Sequence, residues 1–343
     1  MRKLLNTLYV TSPGSYLSLD GENVVIMRED GNDFRMPLHN IEGIVTFGYK
    51  GISPALLGKC ASDNISMTFM TPHGRFLARV VGESKGNVLL RKEQYRISDS
   101  ETRSVTIAKS ILISKLFNSK SVVDRMSRDY TLRIDKSKFI GVSGALATSI
   151  DRVGKAVSLD ELRGYEGEAA SHYFSIFNDM ILQQKNSFVF KGRNRRPPLD
   201  KVNALLSFSY SLLAKEVAAA IESVGLDAYV GFLHQDRPGR ISLALDIMEE
   251  FRAIFVDRFV LSLINKKVVQ EDGFEQRENG AVIMDDATRK SVLTAWQKRK
   301  QEVITHPYLE EKVEWGLVPY TQALLLARYI RGDLDGYPSF LWK

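Results

Sequence analysis

Hydrophobic positions change their period once along the chain. In the first quarter, apolar residues form short alternating runs, as at residues 16–19 and 24–27, which the turn-forming pair Asp20-Gly21 separates. Further on, apolar residues recur every three or four positions, which is the period of helices. The pattern predicts an α+β protein, with a small, mostly antiparallel β domain over residues 1–84 and a larger all-α domain over residues 85–343.

Turn and capping residues mark the elements of the β domain. The run Glu29-Asp30-Gly31 predicts a second turn, and residues 65–70 and 75–81 have strand composition. Ser53-Pro54 is a cap followed by proline at the first helical position, so it predicts a short helix reaching Cys60. We expect residues 82–87 to be a linker.

The second part contains several long amphipathic stretches. Helices are predicted at residues 106–117, 158–182, 199–224, 241–264, 285–304 and 318–330. Irregular connections are expected at residues 186–198 and 266–284.

Composition limits the class of protein. The chain has 343 residues, of which 44% are hydrophobic and 26% charged, as in ordinary globular domains. We expect no membrane span, since no apolar run approaches ~20 residues, and no signal peptide, since the basic start is interrupted by Asn6 and Thr7. Cys60 is the single cysteine, which excludes an internal disulfide and favours the cytoplasm. A net charge of +6 weakly favours a polyanionic partner.

Glu166 lies on the apolar face of its predicted helix. Ser158 and Glu161 form a capping-box pattern that fixes the helix start and therefore its phase. An ionised carboxylate on that face needs compensation, either from an arginine such as Arg163 or Arg252 or from a metal. The sequence alone leaves these two alternatives open.

Two glycines flank this carboxylate. Gly164 and Gly167 each destabilise a helix by roughly 1 kcal/mol relative to alanine. We therefore expect another group to approach the helix backbone there.

Asp246 and Glu249 are three residues apart on one predicted helix and so face the same way. A cation between them would relieve their repulsion. The alternative is a solvated face with local ion pairs to Arg252.

His234, after an apolar run, is either a satisfied core residue or a ligand. Carboxylates with one imidazole suit a hard divalent metal that also accepts nitrogen, and such a metal suits phosphodiester chemistry.

Four segments carry a family pattern in order and at matching spacing. They are Arg163-Gly164-x-Glu166-Gly167, Arg195-Arg196-Pro197-Pro198-x-Asp200-x-x-Asn203-Ala204-Leu205-Leu206-Ser207-x-x-Tyr210, Gly231-Phe232-x-His234, and Ser242-Leu243-x-Leu245-Asp246-x-x-Glu249-x-Phe251-Arg252. In this combination the chain resembles, over nearly its whole length, the CRISPR-associated integrase that is the first of the two universal adaptation proteins.

The resemblance implies a site and a reaction. Glu166, His234 and Glu249 would hold Mg²⁺ or Mn²⁺, with Asp246 as a second acidic position beside them. Relatives often have aspartate where this chain has Glu249. The implied reaction is attack of a DNA 3′-hydroxyl on a repeat phosphodiester, which inserts a new spacer into a CRISPR array, and water at the same site would give endonuclease activity.

The resemblance also implies partners. These are double-stranded DNA, as prespacer and CRISPR repeat, a second copy of the chain joined mainly through the β domain, and a small ferredoxin-like adaptation protein.

Two basic clusters could contact DNA phosphates. One is Arg193, Arg195 and Arg196, and the other is Lys298, Arg299 and Lys300. The alternative is that these are solubility charges, above all in the second cluster. Two other functions stay open: a stand-alone metal-dependent nuclease that acts on branched DNA in repair, and a non-catalytic DNA-binding assembly subunit.

Overall fold

A computed structural model of the chain describes residues 6–41, 43–48, 50–63, 65–72, 76–80 and 88–342. The chain falls into two compact units. The first comprises residues up to Lys85 together with Ile283–Glu302 and Glu314–Leu317, and the second comprises Gly86–Val282, Val303–Val313 and Val318–Lys343. The predicted linker at residues 82–87 and the predicted boundary at residues 84 and 85 lie outside the described residues.

The elements follow one another as strands first and then mainly helices. The strands are β1 (Thr7–Val10), β2 (Tyr16–Asp20), β3 (Asn23–Met27), β4 (Phe34–Pro37), β5 (Gly43–Phe47), β6 (Ser66–Met70), β7 (Phe76–Val80), β8 (Phe274–Gln276), β9 (Val282–Met284), β10 (Val303–Thr305) and β11 (Lys312–Glu314). The helices are α1 (Pro54–Ser62), α2 (Val88–Ser98), α3 (Glu101–Asp129), α4 (Lys136–Lys155), α5 (Leu159–Ser175), α6 (Lys201–Ser223), α7 (Ser242–Glu249), α8 (Arg258–Asn265), α9 (Asp286–Lys300) and α10 (Val318–Ile330).

Two sheets form most of the first unit. One is an antiparallel sheet of order β2-β3-β4, and the other has the order β1-β5-β6-β7. In the second sheet β1 and β6 run parallel to β5, and β7 runs antiparallel to β6. The predicted β-rich region with antiparallel sheets, followed by a helical region, is confirmed, while the four-stranded sheet is mixed and the strands β8 to β11 interrupt the helical part.

Local signals in the first unit act as expected. Asp20 pairs with Asn23 at the end of the β2–β3 hairpin, and Gly21 in the turn has a φ of 59°, a conformation that glycine adopts without strain. The Ser53 hydroxyl accepts a hydrogen bond from the Leu56 backbone N–H at 3.3 Å, which begins α1 as predicted.

The core of the first unit lies between its sheets and α1. It contains apolar side chains with at most 5% exposure, including Leu17, Val24, Ile44, Leu56 and Met67. Burial of apolar surface stabilises such a unit by roughly 25 cal/mol per Å².

Helix α9 belongs to the first unit although it follows helices of the second in sequence. Its Trp296 is fully buried, and Arg289 is buried with its guanidinium 5.3 Å from the centre of the Phe47 ring. Periodicity predicted this helix, but it could not show against which unit the helix packs.

The second unit is mostly helical and is organised around α3. This 29-residue helix packs against α4, α5, α7 and the turns that follow α7. The helix predicted at residues 106–117 covers only the middle of α3. Helix α4 was not among the predicted helices. Among the described residues, α6 is the one helix long and apolar enough to span a membrane, and 72% of that stretch is buried inside the protein.

The predicted helix at residues 241–264 is interrupted. It consists of α7, a π-helical segment at Arg252–Asp257, and α8. A π-helical turn inserts an extra residue into the helix and so changes the direction of the side chains that follow. Arg252 and Asp257, at the two ends of this segment, are both charged and project into the interior of the unit.

The C-terminal tail is fastened to buried polar groups. Glu250 accepts hydrogen bonds from the Tyr337 hydroxyl at 2.5 Å and the Phe340 backbone N–H at 2.7 Å. Asn118 of α3 donates to the carbonyls of Glu250 and Phe340, both at 2.8 Å, and accepts from the Trp342 N–H at 2.8 Å. One buried amide therefore ties α3, the end of α7 and the tail together.

We expect Asn118→Ala to lower the free energy of unfolding by about 2 kcal/mol, because buried polar groups without their partners cost about 1–3 kcal/mol. Urea denaturation of the full chain measures this change. Ser110→Ala, which removes a more exposed hydroxyl on the same helix, should change it by less than about 0.5 kcal/mol. Equal stabilities of the two variants would contradict the role of Asn118.

Candidate active site

The start of α5 fixes the position of Glu166. The Ser158 hydroxyl accepts from the Glu161 N–H at 3.2 Å, and Glu161 in return accepts from the Val157 N–H at 2.7 Å. The predicted cap is confirmed. In a capping box Glu161 would accept from the Ser158 N–H, whereas here it accepts from the N–H of the preceding residue, Val157. The resulting phase buries Leu162 and leaves 22% of the Glu166 side chain exposed.

Glu166 and Glu249 converge on one lysine from α3. Lys115 Nζ lies 2.6 Å from Glu166 Oε1 and 2.8 Å from Glu249 Oε2. The Lys115 side chain is 14% exposed and that of Glu249 only 2%. Residues far apart in sequence thus form a nearly buried carboxylate–ammonium–carboxylate cluster.

The expected arginine partners of Glu166 are engaged elsewhere. Arg163 forms an ion pair with Asp160 at 2.7 Å and donates to the Leu233 carbonyl at 3.2 Å. Arg252 Nε lies 2.8 Å from Glu249 Oε2. A compensating cation for Glu166 was the correct expectation, but the partner is Lys115. The alternative of a solvated face is wrong, because Glu249 and Glu250 are buried.

Glu249 is ionised by its neighbours. Burial alone would raise the pKa of its carboxyl, but the charges of Arg252, Lys115 and His234 outweigh burial and lower the pKa to about 2. Glu249 Oε2 and Arg252 Nε are nevertheless buried without an aligned hydrogen bond between them. Their contact is an ion pair that leaves an acceptor oxygen partly unsatisfied.

Asp246 is turned away from Glu249 and orients His234. It is fully buried and accepts from the backbone N–H groups of Phe232, Leu233 and His234 at 2.6, 3.0 and 2.9 Å. The His234 ring Nδ1 lies 2.6 Å from its Oδ1. A carboxylate only accepts, so Nδ1 is the donor, and Nε2 is left to accept a proton or bind a cation. The cation expected between Asp246 and Glu249 is therefore not required, because each carboxylate has its own donors.

Glycine is required beside this carboxylate. A Cβ on Gly231 would lie 2.8 Å from Ser242 Cβ and 2.9 Å from both Asp246 Oδ2 and the His234 carbonyl. The expectation for Gly164 and Gly167 is wrong, since in the described part of the chain no atom lies within 4 Å of a Cβ built on either. Gly167 instead lines an open cavity.

That cavity, of about 350 Å³, brings the predicted ligands together. Glu166, His234 and Glu249 line it, with Lys115 and Arg252 beside them. A second cavity shares Arg163, Glu166 and His234 with the first and is otherwise lined by Asp160, Leu233, Gln235, Arg237 and Arg240. The two carboxylates and the imidazole thus face a space that is surrounded by cations.

The side chains that line the cavity are of the chemical types that bind a divalent cation. Carboxylate oxygens and one imidazole nitrogen are acceptable ligands for Mg²⁺ or Mn²⁺. Glu249 Oε2 lies 2.8 Å from both Lys115 Nζ and Arg252 Nε, so a cation already occupies the neighbourhood of this acceptor oxygen. Within the described ranges, however, no three His, Cys, Asp or Glu side chains are drawn together as a formed metal cluster. Lys115 and Arg252 set the present positions of the carboxylates.

The first predicted basic cluster borders the same cavity. Arg193 donates to Asn203 Oδ1 at 2.7 Å and Ser207 Oγ at 3.1 Å, and both Arg193 and Arg195 line the cavity. Burial lowers the pKa of Arg193. Arg195 and Arg196 are exposed. This cluster therefore has one anchored and two exposed guanidinium groups.

The second predicted cluster is dispersed on α9 in the first unit. Lys298 is exposed, Arg299 pairs with Glu302 and lies over the Trp315 ring at 5.4 Å, and Lys300 is buried and donates to Thr7 Oγ1 at 3.2 Å. The three charges do not share one exposed surface, so binding of DNA there stays a prediction that rests on Lys298.

Sequence reasoning missed Lys115, Tyr173 and Asp257 as lining residues. The Tyr210 hydroxyl donates to Asp257. Burial raises the pKa of the Asp257 carboxyl to about 6, although the hydrogen bond from Tyr210 lowers it. A signal for Lys115 existed: it falls three residues after Leu112, on the apolar face of α3. A buried lysine at such a position predicts an acidic partner.

The fold and the cavity define an α+β protein with a candidate active site of two carboxylates and an oriented imidazole. The sequence matches the family described as CRISPR associated protein Cas1 over residues 8–298. The CRISPR-associated endonuclease Cas1 1 of Chlorobaculum tepidum is 49% identical over 343 residues, 100% of both chains. The chain therefore belongs to the Cas1 family of CRISPR-associated proteins, and the resemblance of its motifs is confirmed.

Solved structures share the fold. A casposase bound to integration product has a TM-score of 0.85 at 24% identity, covering 98% of this chain and 94% of that one. A chain of a Cas6-RT-Cas1–Cas2 complex has a TM-score of 0.82 at 22% identity, covering 100% of this chain and 36% of that chain. At these identities the likeness concerns the fold alone.

Asp246→Asn should weaken binding of Mn²⁺ about 10- to 100-fold, the usual effect of removing the group that orients a ligating histidine. The amide would turn N–H donors toward backbone donors and the imidazole. Isothermal titration of the full chain with MnCl₂ measures the affinity. Asp236→Asn, on the same loop but with a single 3.3 Å bond to the Gly231 N–H, is the matched control. Equal affinities of the two variants would refute an orienting role for Asp246.

Proposed function

We propose that the chain is a divalent-metal-dependent DNA endonuclease and integrase of CRISPR adaptation, which inserts new spacers by attack of a DNA 3′-hydroxyl on a repeat phosphodiester. The observation that carries the proposal is the convergence of Glu166 and Glu249 beside an imidazole whose Nε2 is left open. The endonuclease name of the Chlorobaculum tepidum relative supports it.

Each residue has a proposed task in this reaction. Glu166, Glu249 and His234 Nε2 would hold Mg²⁺ or Mn²⁺, which when bound supplies polarisation of the phosphate and positions the attacking oxygen. Asp246 keeps the imidazole oriented toward the cavity. Arg252, fixed against Glu249, offsets negative charge that develops on the phosphate.

DNA is the proposed substrate, and water in place of the 3′-hydroxyl would give cleavage at the same residues. Arg195, which lines the cavity, and the adjacent Arg196 are exposed and are proposed to bind phosphates. The casposase structure supports this, because a chain of the same fold is bound there to an integration product.

The assembly is proposed on similar grounds. We propose a homodimer that works with a small ferredoxin-like adaptation protein in the cytoplasm. Support for the partner comes from the Cas6-RT-Cas1–Cas2 complex, which contains a chain of this fold. The single cysteine, Cys60, is buried and free, in keeping with a reducing compartment.

A non-catalytic assembly subunit is the second candidate. The observation that favours it is that Lys115 and Arg252 already neutralise the two carboxylates. If the chain is such a subunit, substitutions of Glu166, His234 or Glu249 should have no effect on Mn²⁺ binding. If it is a metal-dependent enzyme, they should weaken that binding.

Glu166→Gln and His234→Ala should each abolish strand transfer and cutting while leaving the fold intact. A decrease of at least about 100-fold in rate is expected, because each change removes a proposed ligand of the essential ion. The assay joins a prespacer-like duplex to a repeat-bearing plasmid in Mg²⁺ or Mn²⁺, with circular dichroism to check folding.

Matched controls lie on the same helix. Glu168→Gln and His172→Ala change exposed side chains of α5 and should retain activity. Metal-dependent joining by folded Glu166→Gln would refute the site. Wild-type protein that yields fragments but never joined product would support the stand-alone repair nuclease instead.

Reversing the charge of Arg195 and Arg196 to glutamate should weaken DNA binding and flatten its salt dependence. The slope of log K against log salt should fall by about 0.9 for each phosphate that the protein no longer neutralises. Fluorescence anisotropy with a labelled duplex at several salt concentrations measures both changes. Lys136→Glu with Lys155→Glu, exposed at the two ends of α4, changes the net charge equally. If both double variants behave alike, net charge rather than the loop is responsible.

A further inference from the structure

Lys115 lies where the two proposed ligand carboxylates meet. Its Nζ is 2.6 Å from Glu166 Oε1 and 2.8 Å from Glu249 Oε2. We propose that Lys115 is a built-in counter-ion of the metal site, which holds the two carboxylates together and is displaced from between them when the divalent ion binds. This inference rests on the metal site proposed above.

Electrostatics make a cation at this point necessary. The Glu249 side chain is only 2% exposed, and a buried carboxylate that loses its partner strongly destabilises a protein because an uncompensated charge is left inside. Arg252 compensates Glu249, which is its one ion-pair partner within 4.0 Å among the described residues. Lys115 is the group that also reaches Glu166 and so offsets the repulsion across the gap.

The ammonium and a metal ion would compete for the same oxygens. Mg²⁺ and Ca²⁺ bind carboxylate oxygens at about 2.0–2.6 Å, so an ion held by both Glu166 and Glu249 would need the region where Lys115 Nζ lies. Two positive groups in one such region would also repel each other. Binding of the ion therefore requires the ammonium to leave.

The structure allows Lys115 to move and keeps Arg252 in place. Lysine has a single ammonium on a flexible four-carbon stem, whereas arginine has a planar, rigid fork. Arg252 lies over the Tyr210 ring at 4.7 Å, which fixes its guanidinium plane. The Lys115 backbone stays anchored in α3, where Ser119 Oγ donates to its carbonyl at 2.8 Å, and its side chain borders the open cavity.

The test compares metal affinities of the full chain without DNA. Lys115→Met should bind Mn²⁺ about tenfold more tightly than wild type, because the ion no longer displaces an ammonium; coupling between sites commonly amounts to 5- to 150-fold. In EDTA the variant should melt at a lower temperature, and Mn²⁺ should raise its melting temperature by more than that of wild type. Titration calorimetry and thermal melts measure these changes.

Lys120→Met is the matched control. It also removes a lysine of α3 that pairs with a carboxylate, Asp124, at 2.6 Å, and it should leave the Mn²⁺ affinity unchanged. Lys115→Gln, which is neutral and polar, gives the same comparison if Lys115→Met does not fold.

The outcomes separate this inference from the proposed function. Unchanged or weaker Mn²⁺ binding by Lys115→Met or Lys115→Gln would overturn the counter-ion role, even where Glu166→Gln abolishes binding and thereby supports the metal site. If wild type and Glu166→Gln bind Mn²⁺ equally, the proposed site itself fails, and the counter-ion inference fails with it.

Discussion

The ion cluster of Glu166, Lys115 and Glu249 is the constraint on which the helical unit depends. It joins α5, α3 and α7 at one nearly buried point, and electrostatic attraction there is strong because little water screens it. Packing of apolar faces can bring three helices together at several relative rotations. The shared ammonium selects the one rotation that turns both carboxylates toward the cavity.

Two consecutive glutamates at the end of α7 make different contacts. Glu249 faces Lys115 and Arg252, while Glu250 faces the hydroxyl and backbone donors of the C-terminal tail. Successive residues near a helix end point in different directions, so one short stretch serves both the cavity and the closure of the fold. Asn118, three residues after Lys115 on α3, supports the same arrangement by donating to the Glu250 carbonyl.

Much of this arrangement was predictable because its signals are local. The hairpin at Gly21, the cap at Ser158 and the phase of Glu166 depend on neighbours a few residues away. The pairing of Lys115 with Glu166 spans 51 residues, and no short pattern encodes it. The direction of the Asp246 side chain depends on contacts with the backbone of a loop that precedes α7. The π-helical segment at Arg252–Asp257 breaks the helical period, so the directions of the side chains in that segment could not be inferred from periodicity.

The carboxylate of Asp246 is held by three consecutive backbone amides. Because every residue except proline offers such an amide, the position of the imidazole is specified by main-chain atoms and by the space at Gly231, and hardly by the identity of the neighbouring side chains. Side-chain substitutions after His234 leave these three main-chain donors in place. The loop after His234 could therefore differ in sequence while the imidazole keeps its orientation.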